Sequence, residues 1–187
     1  MALRDVRNLY AELGLPCRVN VMGVPIDPWT MEQTVAAIDT LVEHGMFAHL
    51  IGINADKLLQ MKDDLEMDAC VRRCEVVSAD GASIVMAANR LGVSLPGRVS
   101  GVDLMQELCA MAARRSRTVY LLGAKAEVVA RAVEALNRTY PKLNIVGYRD
   151  GYFGDNEFDL VGLRRESWCK AESGPTGETS IERTVIA

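Results

Sequence analysis

Short apolar runs, each ending in a small or polar residue and each followed by a stretch of helical periodicity, recur along most of this chain. Phe47 to Ile53 leads into Asn54, Val76 to Ala79 into Asp80-Gly81, Thr118 to Leu122 into Gly123, and Asn144 to Tyr148 into Asp150-Gly151. Apolar runs of this length, alternating with helical segments, build a parallel sheet covered by helices, because each crossover must return the chain to the same edge. The fold expected is therefore α/β and Rossmann-like, a mainly parallel sheet with helices on both faces. In such sheets ligands bind outside the carboxyl ends of the strands. The four segments Gly52-Ile53-Asn54, Asp80-Gly81, Leu122-Gly123-Ala124 and Asp150-Gly151-Tyr152-Phe153 are expected to meet there.

The helices punctuate this pattern. Apolar positions from Leu3 to Leu13 have helical spacing, with Gly14 as a stop. Arg18 to Ile26 reads as a strand or hairpin edge. Thr30 with Gln33 three positions on makes a capping box for a helix that runs through Val35, Ile38 and Leu41 to Gly45. Asn54 opens a short helix, Lys57 to Met61, and a second is expected from Asp68 to Glu75. Longer ones follow at Ala82 to Leu91, Val102 to Arg115 and Ala126 to Tyr140. After Phe153 the periodicity fades. Residues 154–187 carry scattered glycines and the run Ala171-Glu172-Ser173-Gly174-Pro175-Thr176-Gly177. The expected organisation is one α/β domain over 1–153 and a poorly ordered tail over 154–187.

Bulk properties narrow the function. With 187 residues, 49% hydrophobic, the chain can bury a sizeable core. A formal net charge of −4 argues against nucleic acid as a partner. The five cysteines (Cys17, Cys70, Cys74, Cys109, Cys169) form no C-x-x-C pair, so a reducing, cytoplasmic compartment is expected and Cys70 and Cys74 read as buried small residues. Arg4, Asp5 and Arg7 interrupt any signal-peptide core, and no apolar run is long enough to span a bilayer. His44 and His49 have no metal-ligand pattern, and no metal or cofactor is expected. A nicotinamide-dependent oxidoreductase is disfavoured, since no G-x-G-x-x-G occurs.

The chemistry-bearing residues sit at the strand ends. Asp80 is either a base that takes a proton from an attacking hydroxyl or an N-cap for the helix starting at Ala82, and the two roles are compatible. Asn54 is open in the same way, between a sugar hydroxyl and its own helix. Arg98 suits a diphosphate, or is a solvated surface arginine. Gly101 and Asp103 can turn the chain into the next helix. Gly123 and Gly151 let backbone approach a ligand or simply end strands. Tyr152 and Phe153 can stack on a base or sugar, or pack into a core.

In this order and spacing the segments resemble the WecG/TagA/CpsF family of bacterial glycosyltransferases. The marks are Val21-Met22-Gly23-Val24-Pro25-Ile26-Asp27, Gly52-Ile53-Asn54-Ala55, Ser78-Ala79-Asp80-Gly81, Arg98-Val99-Ser100-Gly101-Val102-Asp103, Tyr120-Leu121-Leu122-Gly123, and Val146-Gly147-Tyr148 through Asp150-Gly151-Tyr152-Phe153. The resemblance covers roughly Val19 to Phe153. It implies an inverting transferase that moves an N-acetylmannosamine-type sugar from UDP to a polyprenyl-diphosphate-linked acceptor, in cell-surface polysaccharide synthesis such as that of teichoic acid. It also implies work at the inner face of the cell membrane. Asp80 falls on the family's general base and Arg98 on its motif arginine. Asn54, Gly81, Gly101, Asp103, Gly123, Gly151 and Tyr152 fall on substrate-binding segments.

Two departures stand out. Gly52 occupies a position where the family commonly has Thr. The residues from Arg164 onward lack the family's Pro-x-x-Gln-Glu-like motif and basic C-terminal appendage. The whole tail after Phe153 carries more acids than bases, so weak attraction to anionic membranes is expected. The tail reads as a truncation or a shifted frame. An inactive remnant that still binds a nucleotide sugar is the alternative expectation.

Overall fold

The computed structural model describes residues 3–152 and 184–186. The chain divides into two compact units, residues 1–104 and 105–187. The expected α/β class is observed, with parallel pairings throughout except in one small hairpin.

In the first unit, α1 (Leu3–Glu12) precedes the hairpin of β1 (Val19–Val21) and β2 (Val24–Ile26). The hairpin turn is Met22-Gly23, both at positive φ (54° and 89°). That backbone matches the twist of paired strands, and Asn20 Oδ1 accepts the Gly23 N–H at 2.8 Å. Helix α2 (Met31–Glu43) opens with the predicted capping box, Thr30 and Gln33 each bonding the other's backbone N–H. Strand β3 is Leu50–Ile53, shorter than the run that announced it. Phe47 stays 63% exposed and packs edge-on against the His49 ring.

Two nine-residue helices follow, α3 (Ala55–Asp63) and α4 (Leu65–Arg73). The sequence placed the second at Asp68 to Glu75. It begins earlier because Asp64 Oδ1 accepts the Met67 N–H and caps it. Strand β4 (Val76–Ala79) is buried at every position and pairs in parallel with β3, Gly52 opposite Ser78 and Ile53 opposite Ala79. Its two faces feed two cores. Val77 and Ala79 pack with Ile53, Leu58 and Met61 of α3, Val71 of α4, and Ile84 and Ala88 of α5 (Ala82–Arg90). Val76 packs with Val6 and Tyr10 of α1 and with Ala37 and Leu41 of α2. Helices therefore cover both faces, as expected. Ile53, fully buried, contributes about 1.5–3 kcal/mol by leaving water.

At the amino-terminal half of β4, a buried charge ties the hairpin to this sheet. Asp27, its side chain 1% exposed, accepts from Arg18 Nε at 2.8 Å and Nη2 at 2.7 Å, from Arg7 at 3.1 Å, and from the Val77 backbone N–H at 2.7 Å. Arg18 also donates to the Cys74 and Glu75 carbonyls. A buried carboxylate held by this many donors fixes register, because any slip leaves the charge unpaired.

Helix α6 (Gly101–Arg115) runs across the division between the units. In the second unit β5 (Thr118–Leu122) pairs in parallel with β6 (Asn144–Arg149) and, on its other side, with β7 (Thr184–Ile186). Val119 and Leu121 face a core of Cys109 and Ala112 from α6 and Val129 and Leu136 from α7 (Ala126–Thr139). A bulge between Val119 and Tyr120 sets Tyr120 opposite Gly147, where a Cβ would stand 2.7 Å from the tyrosine ring. The tail expected from residue 154 falls mostly outside the described residues.

Candidate active site

Parallel pairing brings the carboxyl ends of β3 and β4 side by side, and three helices start there: α3, α5 and α6. Their first-turn N–H groups lack intrahelical partners and carry the positive ends of the helix dipoles, which favours anions. Asn54 Oδ1 accepts the Lys57 N–H at 2.9 Å, so its capping role is real. No acceptor among the described residues takes its side-chain N–H group, which remains for a ligand. Gly81 is the N-cap of α5 and supplies no side-chain bond. A Cβ on Gly81 would lie 3.3 Å from Asn54 Cα, so glycine lets the two strand ends touch.

Asp80 does not cap the helix that follows it. Its Oδ1 accepts the backbone N–H of Gly101, the first residue of α6, at 3.1 Å. The capping relation is thus to a helix distant in sequence. Asp80 Oδ2 is engaged by no donor among the described residues. One oxygen is anchored at a helix N-terminus and the other is left to accept a proton.

The loop into α6 is fixed by Val99, whose N–H donates to the Ala79 carbonyl at 2.8 Å and whose side chain is 2% exposed. The alternation turns Arg98 outward. It meets Asp103 at 3.6 Å, with both side chains more than half exposed (53% and 59%). A pair that open to water holds the guanidinium loosely. Asn54, Asp80, Gly81, Arg98, Gly101 and Asp103 thus lie on the strand ends and helix starts of the first unit.

Gly123, Gly151 and Tyr152 belong to the second unit. Gly123 has a φ of 137°, open only to glycine without strain, and its N–H donates to the Arg149 carbonyl at 3.0 Å. Gly151 donates to the Ala124 carbonyl at 2.9 Å, and a Cβ there would stand 3.2 Å from Gly123 Cα. Close packing of two strand-end loops accounts for both glycines. Tyr152, its N–H bonded to Asp150 Oδ1, is 76% exposed. Phe153 lies outside the described residues.

The family of this architecture is decided by the sequence pattern that fills it. The sequence model of the WecG/TagA/CpsF glycosyl transferase family matches residues 19–166. The chain belongs to this family. The match starts at β1 and runs on to Glu166, past the Phe153 limit of the resemblance read from motifs. As a member of the WecG/TagA/CpsF family, the protein is a transferase that carries a sugar from a nucleotide-sugar donor to an acceptor. Among the described residues no helix is long and apolar enough to cross a membrane, and no group of three or more His, Cys, Asp or Glu side chains is placed to hold a metal ion.

Sequence reasoning passed over Lys57. Its Nζ donates to the Gly52 carbonyl at 2.8 Å, so a half-buried ammonium stands at the end of β3. The only local signal was a lysine three residues after an N-cap. Cys74 is buried as expected, and burial pushes its thiol up to about 12, whereas Cys70, expected to be buried with it, is only half-buried.

Proposed function

We propose that this chain is an inverting glycosyltransferase that moves an N-acetylmannosamine-type sugar from UDP to a polyprenyl-diphosphate-linked acceptor at the cytoplasmic face of the cell membrane. The observation that carries the reading is the divided carboxylate of Asp80, one oxygen anchored by the Gly101 N–H and the other open. In the proposed step Asp80 Oδ2 takes the proton of the acceptor hydroxyl. The hydroxyl oxygen forms a bond to the anomeric carbon from the face opposite the diphosphate. The bond from that carbon to the diphosphate oxygen breaks, UDP leaves with the electron pair, and the configuration inverts. General-base assistance of this kind contributes about 10²–10⁴-fold.

Arg98 is the proposed counter-charge for the leaving diphosphate, aided by the N-termini of α3 and α5. Its weak tie to Asp103 supports that role, since little is lost when the guanidinium turns to a phosphate. Asn54 is proposed to use its side-chain N–H group on a sugar oxygen, and Gly123, Gly151 and Tyr152 are proposed as substrate-binding residues at the strand ends of the second unit.

The test is transfer from UDP-N-acetylmannosamine to a short-chain polyprenyl-diphosphate-linked sugar by the full chain, with product anomer read by NMR. Formation of the inverted product, lost in Asp80→Asn, is the expected result. Retention of configuration removes the single-base mechanism. UDP-sugar binding without any transfer assigns a nucleotide-sugar-binding role instead.

A further inference from the structure

We propose that Lys57 is a binding residue for the donor's diphosphate, a cation held in place at the end of β3 before the ligand arrives. The inference rests on the reading of the chain as a UDP-sugar transferase and adds a residue to that site. Lys57 is the third residue of α3. Its half-buried side chain runs back past the start of the helix, and Nζ donates to the Gly52 carbonyl at 2.8 Å. Its backbone N–H is taken by Asn54 Oδ1 at 2.9 Å, so the residue is fixed at both ends.

Neither tie neutralises the charge. An ammonium has three donors, and only one is used on Gly52. Lys57 makes no ion pair among the described residues. A cation in the first turn opposes the helix dipole, and partial burial strips it of water. A placement that local electrostatics disfavours, with no carboxylate to offset it, points to a ligand that brings the negative charge. The strand end says how that ligand lies. The Ile53 carbonyl faces β4, where it accepts from the Asp80 and Gly81 N–H groups at 2.9 and 3.2 Å. Carbonyls alternate along a strand, so that of Gly52, with the ammonium on it, faces the other edge of β3. Gly52 thus stands between Lys57 and Asp80. A donor laid across the end of β3 sets its diphosphate against Lys57 and its anomeric carbon toward Asp80.

The test is calorimetric titration of the full chain with UDP and with inorganic pyrophosphate. Lys57→Met removes the charge and the donors at nearly the same length. Both affinities fall about 10- to 100-fold, the scale of a hydrogen bond between charged groups. Unchanged affinities in folded Lys57→Met overturn the proposal, as does a wild type that binds neither anion. If Lys57→Met does not fold, acylation of wild-type amines, read by mass spectrometry, decides. UDP and pyrophosphate slow the reaction at Lys57 while uridine does not; a rate indifferent to the anions overturns the proposal. If wild type transfers no sugar but pyrophosphate binding depends on Lys57, the proposed function fails and the anion site stands. Transfer by wild type, with UDP affinity indifferent to Lys57→Met, leaves the function standing and removes Lys57 from it.

Discussion

The Asp80 carboxylate accepts the backbone N–H of Gly101, twenty-one residues further on, at 3.1 Å. This bond joins the end of β4 to the start of α6. It sets the anionic side chain at a positive helix end while sparing its second oxygen.

Asp80→Asn keeps an oxygen that accepts the Gly101 N–H and removes the proton affinity. Transfer falls by about 10²–10⁴-fold, while the melting temperature holds. Measuring both on one preparation separates chemistry from folding, and near-normal turnover removes Asp80 from the mechanism.

Arg98→Gln leaves stability within about 1 kcal/mol, because an exposed pair such as Arg98–Asp103 contributes little. UDP binding weakens by about 1.5–3 kcal/mol, the worth of a hydrogen bond to a charged group. Calorimetric titration with UDP reads the loss, and unchanged affinity denies Arg98 the diphosphate.

Asp27→Ala strips the carboxylate from Arg18, itself only 14% exposed at its side chain, and leaves the Val77 N–H unpaired. Breaking one side of a buried pair costs about 3–5 kcal/mol. Urea denaturation of the variant reads the shift. A change near zero means that water or a neighbour replaces the carboxylate.

Stability falls in alkali. Burial raises the hydroxyl of Tyr10 above its ordinary value of 10.0 and the thiol of Cys74 from 9.0 to about 12. Both groups stay neutral in the folded chain at a pH where the unfolded chain ionises them. The stability is full below those ordinary values and drains away as pH climbs from them toward the raised ones. Tyr10→Phe, which removes a buried hydroxyl that has no partner among the described residues, flattens the upper part of the decline. Melting temperatures across the alkaline range check this, and parallel curves for wild type and variant contradict it.

Cys74 resists alkylation at neutral pH in the folded chain, because burial keeps it protonated. Cys17, which is exposed, reacts before Cys74. Mass spectrometry after brief iodoacetamide treatment distinguishes them.

Features that depend on residues three or four apart were legible in the sequence. The Thr30–Gln33 capping box, the helical spacing of α1, α2 and α7, and the strand-length runs that became β4 and β5 all formed as read. So did the placement of Asp80 and Gly81 at a strand end, since an apolar run followed by a helix signal leaves few other positions for them. Only the tertiary structure decided what those side chains meet. It joined Asp80 to Gly101 rather than to its own helix, brought Gly52 beneath Asp80, folded Lys57 back to the Gly52 carbonyl, and closed Arg18 onto Asp27. Local propensity acts within one turn or one strand. Contacts between strands depend on register, and register is fixed by which buried groups are satisfied together when the sheet forms.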